Sequence, residues 1–271
     1  MIDVRPGIER VCVVGAGTIG SLYAGHLARV AEVTVLTRRP EQAAARRLEG
    51  VWPGAAVMTV QNGLGAEAAF PGRQVISAVT FMSGTKRSDT HVEYELDTAT
   101  WMGPYAGGGP PYETVQELER LLVAGGLEAE AMPDLRPAQW SKLIFNAAVN
   151  GVAALTDLPH VRAFAEEEDF SDLGHLLRGL IDEGKAVAAA AGIELHDDPC
   201  EMNVRAVSRG ETQRSHYAHV PSMLADVRAR RPTEVDYISG ALAREGERLG
   251  VPVPLNTAIY RLVKAREASW R

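Results

Sequence analysis

No uninterrupted apolar run approaches the roughly 18 residues of a membrane-spanning helix, so the sequence argues against a helical membrane protein. The first residues, MIDVRPGIER, lack the basic-then-apolar layout of a secretory signal, and a cytoplasmic location is the expectation. Cysteine is scarce. Cys12 sits in an apolar strand pattern and Cys200 lies far from it, which offers neither a disulfide framework nor metal-ligand spacing. Both read as structural thiols. His160, His175, His196, His216 and His219 likewise show no metal-binding spacing, and no Ser-His-Asp or Cys-His grouping emerges, so no metal is expected. Positive charge is not in excess either: a net charge of -7 argues against broad binding to nucleic acid. Any phosphate site must then be local, made of backbone N–H groups and one or two arginines.

What is present is the composition of a folded α/β protein, 46% hydrophobic and 23% charged, in a chain long enough for two domains. Strand signals crowd the first half, at 10–14, 32–37, 56–60, 75–81, 91–96 and 128–132, with helical patterns at 18–30, 40–47 and 114–124. Beyond Pro137 the strand signals nearly vanish. Helical periodicity then covers 138–155, 171–191, 200–208, 233–249 and 256–268. The pattern predicts a Rossmann-like domain over residues 1–134 and a mostly helical substrate and dimerisation domain over 135–271, divided near Pro133 to Pro137. The apolar helices of the second domain offer a surface on which a homodimer can form.

Gly15-Ala16-Gly17-Thr18-Ile19-Gly20 follows the first strand directly and opens a helix. The first glycine permits the tight turn and the second lets backbone approach a pyrophosphate. The third lets helix and strand pack closely, while the helix N-terminus attracts the phosphates. The second strand runs into Thr37-Arg38-Arg39, where a site preferring NAD usually carries an acidic residue; Arg38 points to the 2′-phosphate of NADP. On the second domain, Lys142, Asn146 and Asn150 are spaced i, i+4, i+8 and share one helix stripe at intervals of roughly 6 Å. Leu143, Ile144, Ala147, Ala148 and Val149 make the surroundings apolar. A polar row in such a helix needs hydrogen-bond partners, and a ligand in a cleft between domains is a natural one. Pro232-Thr233-Glu234 reads as a helix start with a carboxylate favourable to the dipole. Asn256 is expected to cap or anchor the last helix.

Five further motifs stand in order along the chain: Gln61-Asn62-Gly63-Leu64-Gly65 after a strand, Trp140 to Asn150, Ser222-Met-Leu-Ala-Asp226, Arg231-Pro-Thr-Glu234-Val-Asp236, and Gly250 to Asn256. With the glycine turn they make the sequence resemble the ketopantoate reductase (2-dehydropantoate 2-reductase) family nearly end to end. The resemblance implies NADPH-dependent reduction of a small 2-oxo acid to the 2-hydroxy acid. It makes Lys142 the general acid for the carbonyl oxygen, with a pKa lowered by burial, and puts Glu234 beside it. It implies that Asn146, Asn150 and Ser222 orient the substrate's oxygens and that Asn62 faces the nicotinamide edge, at substrate and cofactor alike. NADP(H) would be held by Gly15, Ala16, Gly17, Thr18, Ile19, Gly20 and Arg38.

The sequence departs from the family at one place. The resemblance implies a further stretch of roughly fifty residues after the second strand, holding the central strand beside the first one and a lysine near the nicotinamide; here Ala44 to Gly50 runs almost straight into Val51 to Val57. The chain reads as carrying an internal deletion on the cofactor side, while every substrate-side motif survives. Two other readings therefore stand beside the reductase: a repurposed non-redox enzyme of cyclase or isomerase type with a weakened cofactor site, and a catalytically silent sensor. Lys142 speaks against the sensor, which has no need of a proton donor.

Overall fold

The computed structural model describes residues 7–14, 17–36, 54–88, 91–96, 98–160, 164, 172–208 and 219–270. The helix expected at 40–47 lies outside these residues, as do Gly15, Ala16 and Arg38. The chain divides into two compact units: Met1–Gln61 with Glu67–Leu135, and Asn62–Ala66 with Arg136–Arg271.

In the first unit, the β-branched run Arg10–Val14 forms β1, Thr18–Leu27 forms helix α1 and Glu32–Leu36 forms β2. β1 and β2 pair in parallel from Arg10 opposite Glu32 to Val14 opposite Leu36, the strand, turn, helix, strand order read from the sequence. A second sheet takes the order β3 (Val57–Thr59), β4 (Val75–Thr80), β7 (Thr100–Pro104), β8 (Ala129–Ala131), with only the β4 to β7 pairing antiparallel. Between its strands lies a hairpin of β5 (Ser83–Lys86) and β6 (Val92–Leu96). Helix α2 (Tyr112–Ala124) precedes β8. β5 and β7 escape the sequence patterns, because Ser-Gly-Thr-Lys is polar and Thr-Trp-Met-Gly-Pro holds a glycine and a proline.

The sheet of this unit is in two pieces. Among the described residues β1 pairs with β2 alone, and β3 pairs with β4 rather than with β1. Among the described residues β3 is therefore no neighbour of β1. The pieces are joined through α1, whose Leu22, Tyr23 and Leu27 enter one core with Ile76, Met102, Leu121 and Leu122. Tyr23 Oη and Thr100 Oγ1 are hydrogen-bonded at 2.6 Å, and His26 Nδ1 lies 2.9 Å from the Gly125 carbonyl while its Nε2 lies 2.8 Å from Tyr94 Oη. A carbonyl only accepts, so in the neutral ring Nδ1 carries the proton and Nε2 accepts from Tyr94.

The second unit is built round helix α3 (Arg136–Thr156), buried without interruption from Trp140 to Ala154. Around it stand α4 (Asp172–Ala190), α5 (Pro199–Ser208), α6 (Ser222–Arg228) and α8 (Pro254–Ala268), with α7 (Ser239–Leu249) against α8. Two glycines allow the closest packing: a side chain at Gly151 would run into Ile259 of α8, and one at Gly184 would meet Ile144 at 2.8 Å. The start of α8 is capped by another helix. Glu183 of α4 accepts the backbone N–H groups of Leu255 and Asn256 at 2.8 and 2.9 Å, and Asn256, fully buried, donates from Nδ2 to Leu180 O and Glu183 Oε2. Asn256 thus anchors the helix while Glu183 supplies the cap.

The helix predicted over 233–249 begins at Ser239 instead. Residues 231–238 form a turn in which Thr233 Oγ1 accepts the Val235 N–H, the local bond by which threonine competes with helix, and Val235 and Ile238 are driven into the core with no exposure. Glu234 is therefore a loop residue and not a helix-terminal carboxylate. No described helix is long and apolar enough to cross a membrane.

Gly151→Ala places a methyl against Ile259 and is expected to destabilise the second unit by about 1–3 kcal/mol. Adding Ile259→Ala should return part of that loss in urea denaturation; strictly additive losses would show that the two sites do not touch.

Candidate active site

The stripe read from the sequence lies on the most buried helix of the second unit. Lys142, Asn146 and Asn150 retain 8%, 7% and 6% of their exposure, values usual for leucine and rare for lysine. Burial pulls the Lys142 ammonium down to about 8, because the charged form loses its hydration. The Glu234 carboxylate opposes this by favouring the charge. Burial in turn pushes Glu234 above the usual carboxylate range, offset in part by a hydrogen bond from Asn62 and by the charge of Lys142.

Asn62 to Ala66, which follow β3 in the chain, belong to the compact body of the second unit. The Leu64 N–H donates to the Tyr237 carbonyl at 2.9 Å, and Gln139 Nε2 reaches the Gly63 carbonyl at 3.5 Å. Gly63 has a φ of 92°, and a Cβ there would collide with the Tyr237 carbonyl oxygen, so both conformation and space require glycine. The turn so fixed presents Asn62, which donates from Nδ2 to Glu234 Oε2 at 2.9 Å and accepts at Oδ1 from Asn146 Nδ2 at 3.4 Å. Residues far apart in sequence thus form one chain, Asn146 to Asn62 to Glu234, beside Lys142. The Glu234 loop is braced on both sides: Glu267 of α8 accepts the Thr233 N–H and hydroxyl at 2.7 and 2.8 Å, and Asp236 accepts from Tyr260 Oη and Lys264 Nζ, both at 2.9 Å.

Asn150 is the member of the stripe whose amide makes no hydrogen bond among the described residues. A buried amide so placed has its full capacity for a ligand. Ser222, the first residue of α6, is exposed and makes no hydrogen bond to this cluster among the described residues. Gln139 and the Tyr237 carbonyl were not among the residues singled out from the sequence. Neither carries a chemical signal there, since one acts through a long polar side chain at a helix start and the other through its backbone.

For the nucleotide, Gly17, Thr18, Ile19 and Gly20 can be tested. Gly17 is extended, with φ -74° and ψ -177°, directly before α1, and no side chain caps the helix. The first helical bond runs from the Ser21 N–H to the Gly17 carbonyl, which leaves the preceding N–H groups outside the intrahelical ladder. A Cβ at Gly17 would meet nothing within 4 Å. An open, uncapped helix start after a parallel strand fits a phosphate group. Among the described residues no group of three or more His, Cys, Asp or Glu is placed to hold a metal.

The family model described as Ketopantoate reductase PanE/ApbA C terminal matches residues 134–267, and the one described as Ketopantoate reductase PanE/ApbA matches 11–52 and 42–107, two pieces that overlap over 42–52. The chain is 34% identical over 154 residues to a 2-dehydropantoate 2-reductase of Pyrobaculum aerophilum, covering 57% of this chain and only 52% of that relative. With the 2-dehydropantoate 2-reductase of Pyrococcus horikoshii it is 26% identical over 306 positions, covering 96% of this chain and 98% of the relative. The alignment is longer than the chain's own 271 residues, so that relative carries residues absent here. D-mandelate dehydrogenase in complex with NADH shares the fold, at a TM-score of 0.76 and 19% identity, over 97% of this chain and 100% of that one.

Gly63→Ala should cost more than about 1 kcal/mol, since it adds both a strained φ and a collision. Urea denaturation of the variant measures it, and an unchanged midpoint would show that Asn62 is not held by this turn.

Proposed function

The chain belongs to the ketopantoate reductase family, and from that premise we propose that it reduces a small 2-oxo acid to the 2-hydroxy acid with NADPH, Lys142 acting as the general acid. The observation that carries the reading is the Lys142 ammonium, buried, tuned to about 8 and coupled to Glu234. A proton donor works best with a pKa near the working pH, and burial brings a lysine there.

NADPH, when bound, supplies the hydride that reaches the carbonyl carbon. The turn containing Gly17, Thr18, Ile19 and Gly20 would hold its phosphates, and Gly15, Ala16 and Arg38 would complete that site by the family pattern. Lys142 delivers a proton to the carbonyl oxygen as the C=O bond becomes an alcohol. Asn150 donates its amide N–H to the substrate, and Asn146 is oriented for the same task by its bond to Asn62. Glu234, held by Asn62 and by its braced loop, keeps the ammonium charged and in place. Ser222 would contact the substrate's polar end.

Titration with NADPH followed by fluorescence, and NADPH oxidation with a panel of 2-oxo acids including 2-dehydropantoate, test the proposal. Micromolar binding and oxo-acid-dependent oxidation are expected, with loss of turnover in Lys142→Ala. No binding at millimolar NADPH would overturn it in favour of non-redox chemistry at the same unit.

The pH profile carries a second expectation. Lys142 is the acid only while protonated, so kcat/KM should fall as pH rises through about 8. Glu234→Gln removes the charge that raises the Lys142 pKa, and the falling limb should shift to lower pH. A limb that stays put would take Glu234 out of this role.

A further inference from the structure

At the C-terminal end of α3, one turn beyond the last member of the active-site stripe, the second unit has an open cavity of about 400 Å³ lined by the ends of three helices. Ala154 and Leu155 come from α3, Val227 and Arg228 from α6, and Arg266 from α8, followed by Ser269 and Trp270. Asp157 and Arg230 complete the wall. Ala154 lies about 18 Å along the axis from Lys142 and about 6 Å from Asn150, so this cavity is separate from the acid and begins one turn past the end of the stripe.

Its charge is uneven. Arg228 donates to Asp157 at 2.7 Å, which neutralises one guanidinium. Asp157 feels the charge of Arg228 first and of Arg266 as well, while Arg230 has no carboxylate of its own among the lining residues, so the lining carries three arginines against one carboxylate. Cations at helix C-termini have an ordinary use in facing the last carbonyls, and Arg228 and Arg266 lie in last turns. That use does not explain Arg230, which lies beyond the end of α6.

Backbone conformation gives a second, independent sign. Among the described residues two that are not glycine have positive φ, Asp157 at 60° and Arg230 at 51°, and both line this cavity. Each follows a helix end where glycine would adopt the left-handed turn without strain. The chain keeps a carboxylate and a guanidinium there instead, and strained residues gathered at one cavity mark a place where the side chains are used.

We propose that this cavity binds a small phosphomonoester. Arg230 and Arg266 take the phosphate dianion, for which the guanidinium fork is suited, and Asp157 holds Arg228 at the wall. The organic part lies against Leu155, Val227 and Trp270, which supply the apolar side of the cavity.

Isothermal titration of the full chain, saturated with NADPH so that the glycine turn is occupied, with inorganic phosphate and with phenyl phosphate tests this. Phenyl phosphate should bind more tightly than inorganic phosphate, phenol should not bind, and Trp270 fluorescence should report the event and be lost in Trp270→Phe. Arg230→Gly and Arg266→Gln should each weaken binding by about tenfold or more. Arg230→Gly relieves the positive φ, so its melting temperature should not fall, which separates lost binding from lost folding. No heat at tens of millimolar of either probe, or binding undiminished in both arginine variants, would overturn the proposal. Equal affinity for the two probes would overturn its organic half.

Discussion

Carrying an ammonium inside an apolar helix is the constraint from which the second unit is organised. Lys142 lies on α3, where residues Trp140 to Ala154 are all buried, and burial depresses its pKa from an ordinary 10.5 to about 8, a net cost to the charged form of about 3 kcal/mol after Glu234 has offset part of it. The sign follows from linkage: the folded pKa is depressed, so the cost is fully present below about 8 and is relieved as pH rises towards 10.5. A fold accepts such a cost where the charge has a use. The neighbourhood is built to limit it, with Glu234 nearby and Asn62 joining Glu234 to Asn146.

The stripe itself is legible from spacing, since lysine and two asparagines at i, i+4, i+8 among apolar neighbours fall on one helix face. The partners of the stripe are not. Asn62 and Glu234 are 172 positions apart, and the turn that carries Asn62 leaves the body of its own strand to join the other unit. Periodicity has nothing to say about such a contact. Glu234 shows how local reading fails: Pro-Thr-Glu has the chemistry of a helix start, but Thr233 bonds the next turn of backbone, Val235 and Ile238 are pulled into the core, and the helix begins at Ser239. Tertiary burial overrides a good local signal there.

In the first unit the strand, helix, strand start is readable from the sequence. Among the described residues β1 and β2 form a two-stranded parallel ribbon, Val14 and Val35 are 38% and 39% exposed, and β3 is a strand of another sheet. β5 and β7 were less readable because their composition is not that of strands; β7 is placed by β4, whose six residues are all buried and pair with it along their length.

A two-stranded parallel ribbon has little stability of its own, so something other than strand pairing must position the start of α1. The body of that helix does this. Its Leu22, Tyr23 and Leu27 lie in the core with the second sheet, Tyr23 is tied to Thr100 of β7, and His26 is tied on both ring nitrogens, to the end of α2 and to β6. In a complete doubly wound sheet the phosphate turn is fixed by its strand and neighbouring strands, with the helix following. Here, among the described residues, the start of α1 is placed by contacts made one to two turns further along the helix. The start of α1 in this chain therefore rests on Tyr23 and His26 more than on continuity of the sheet.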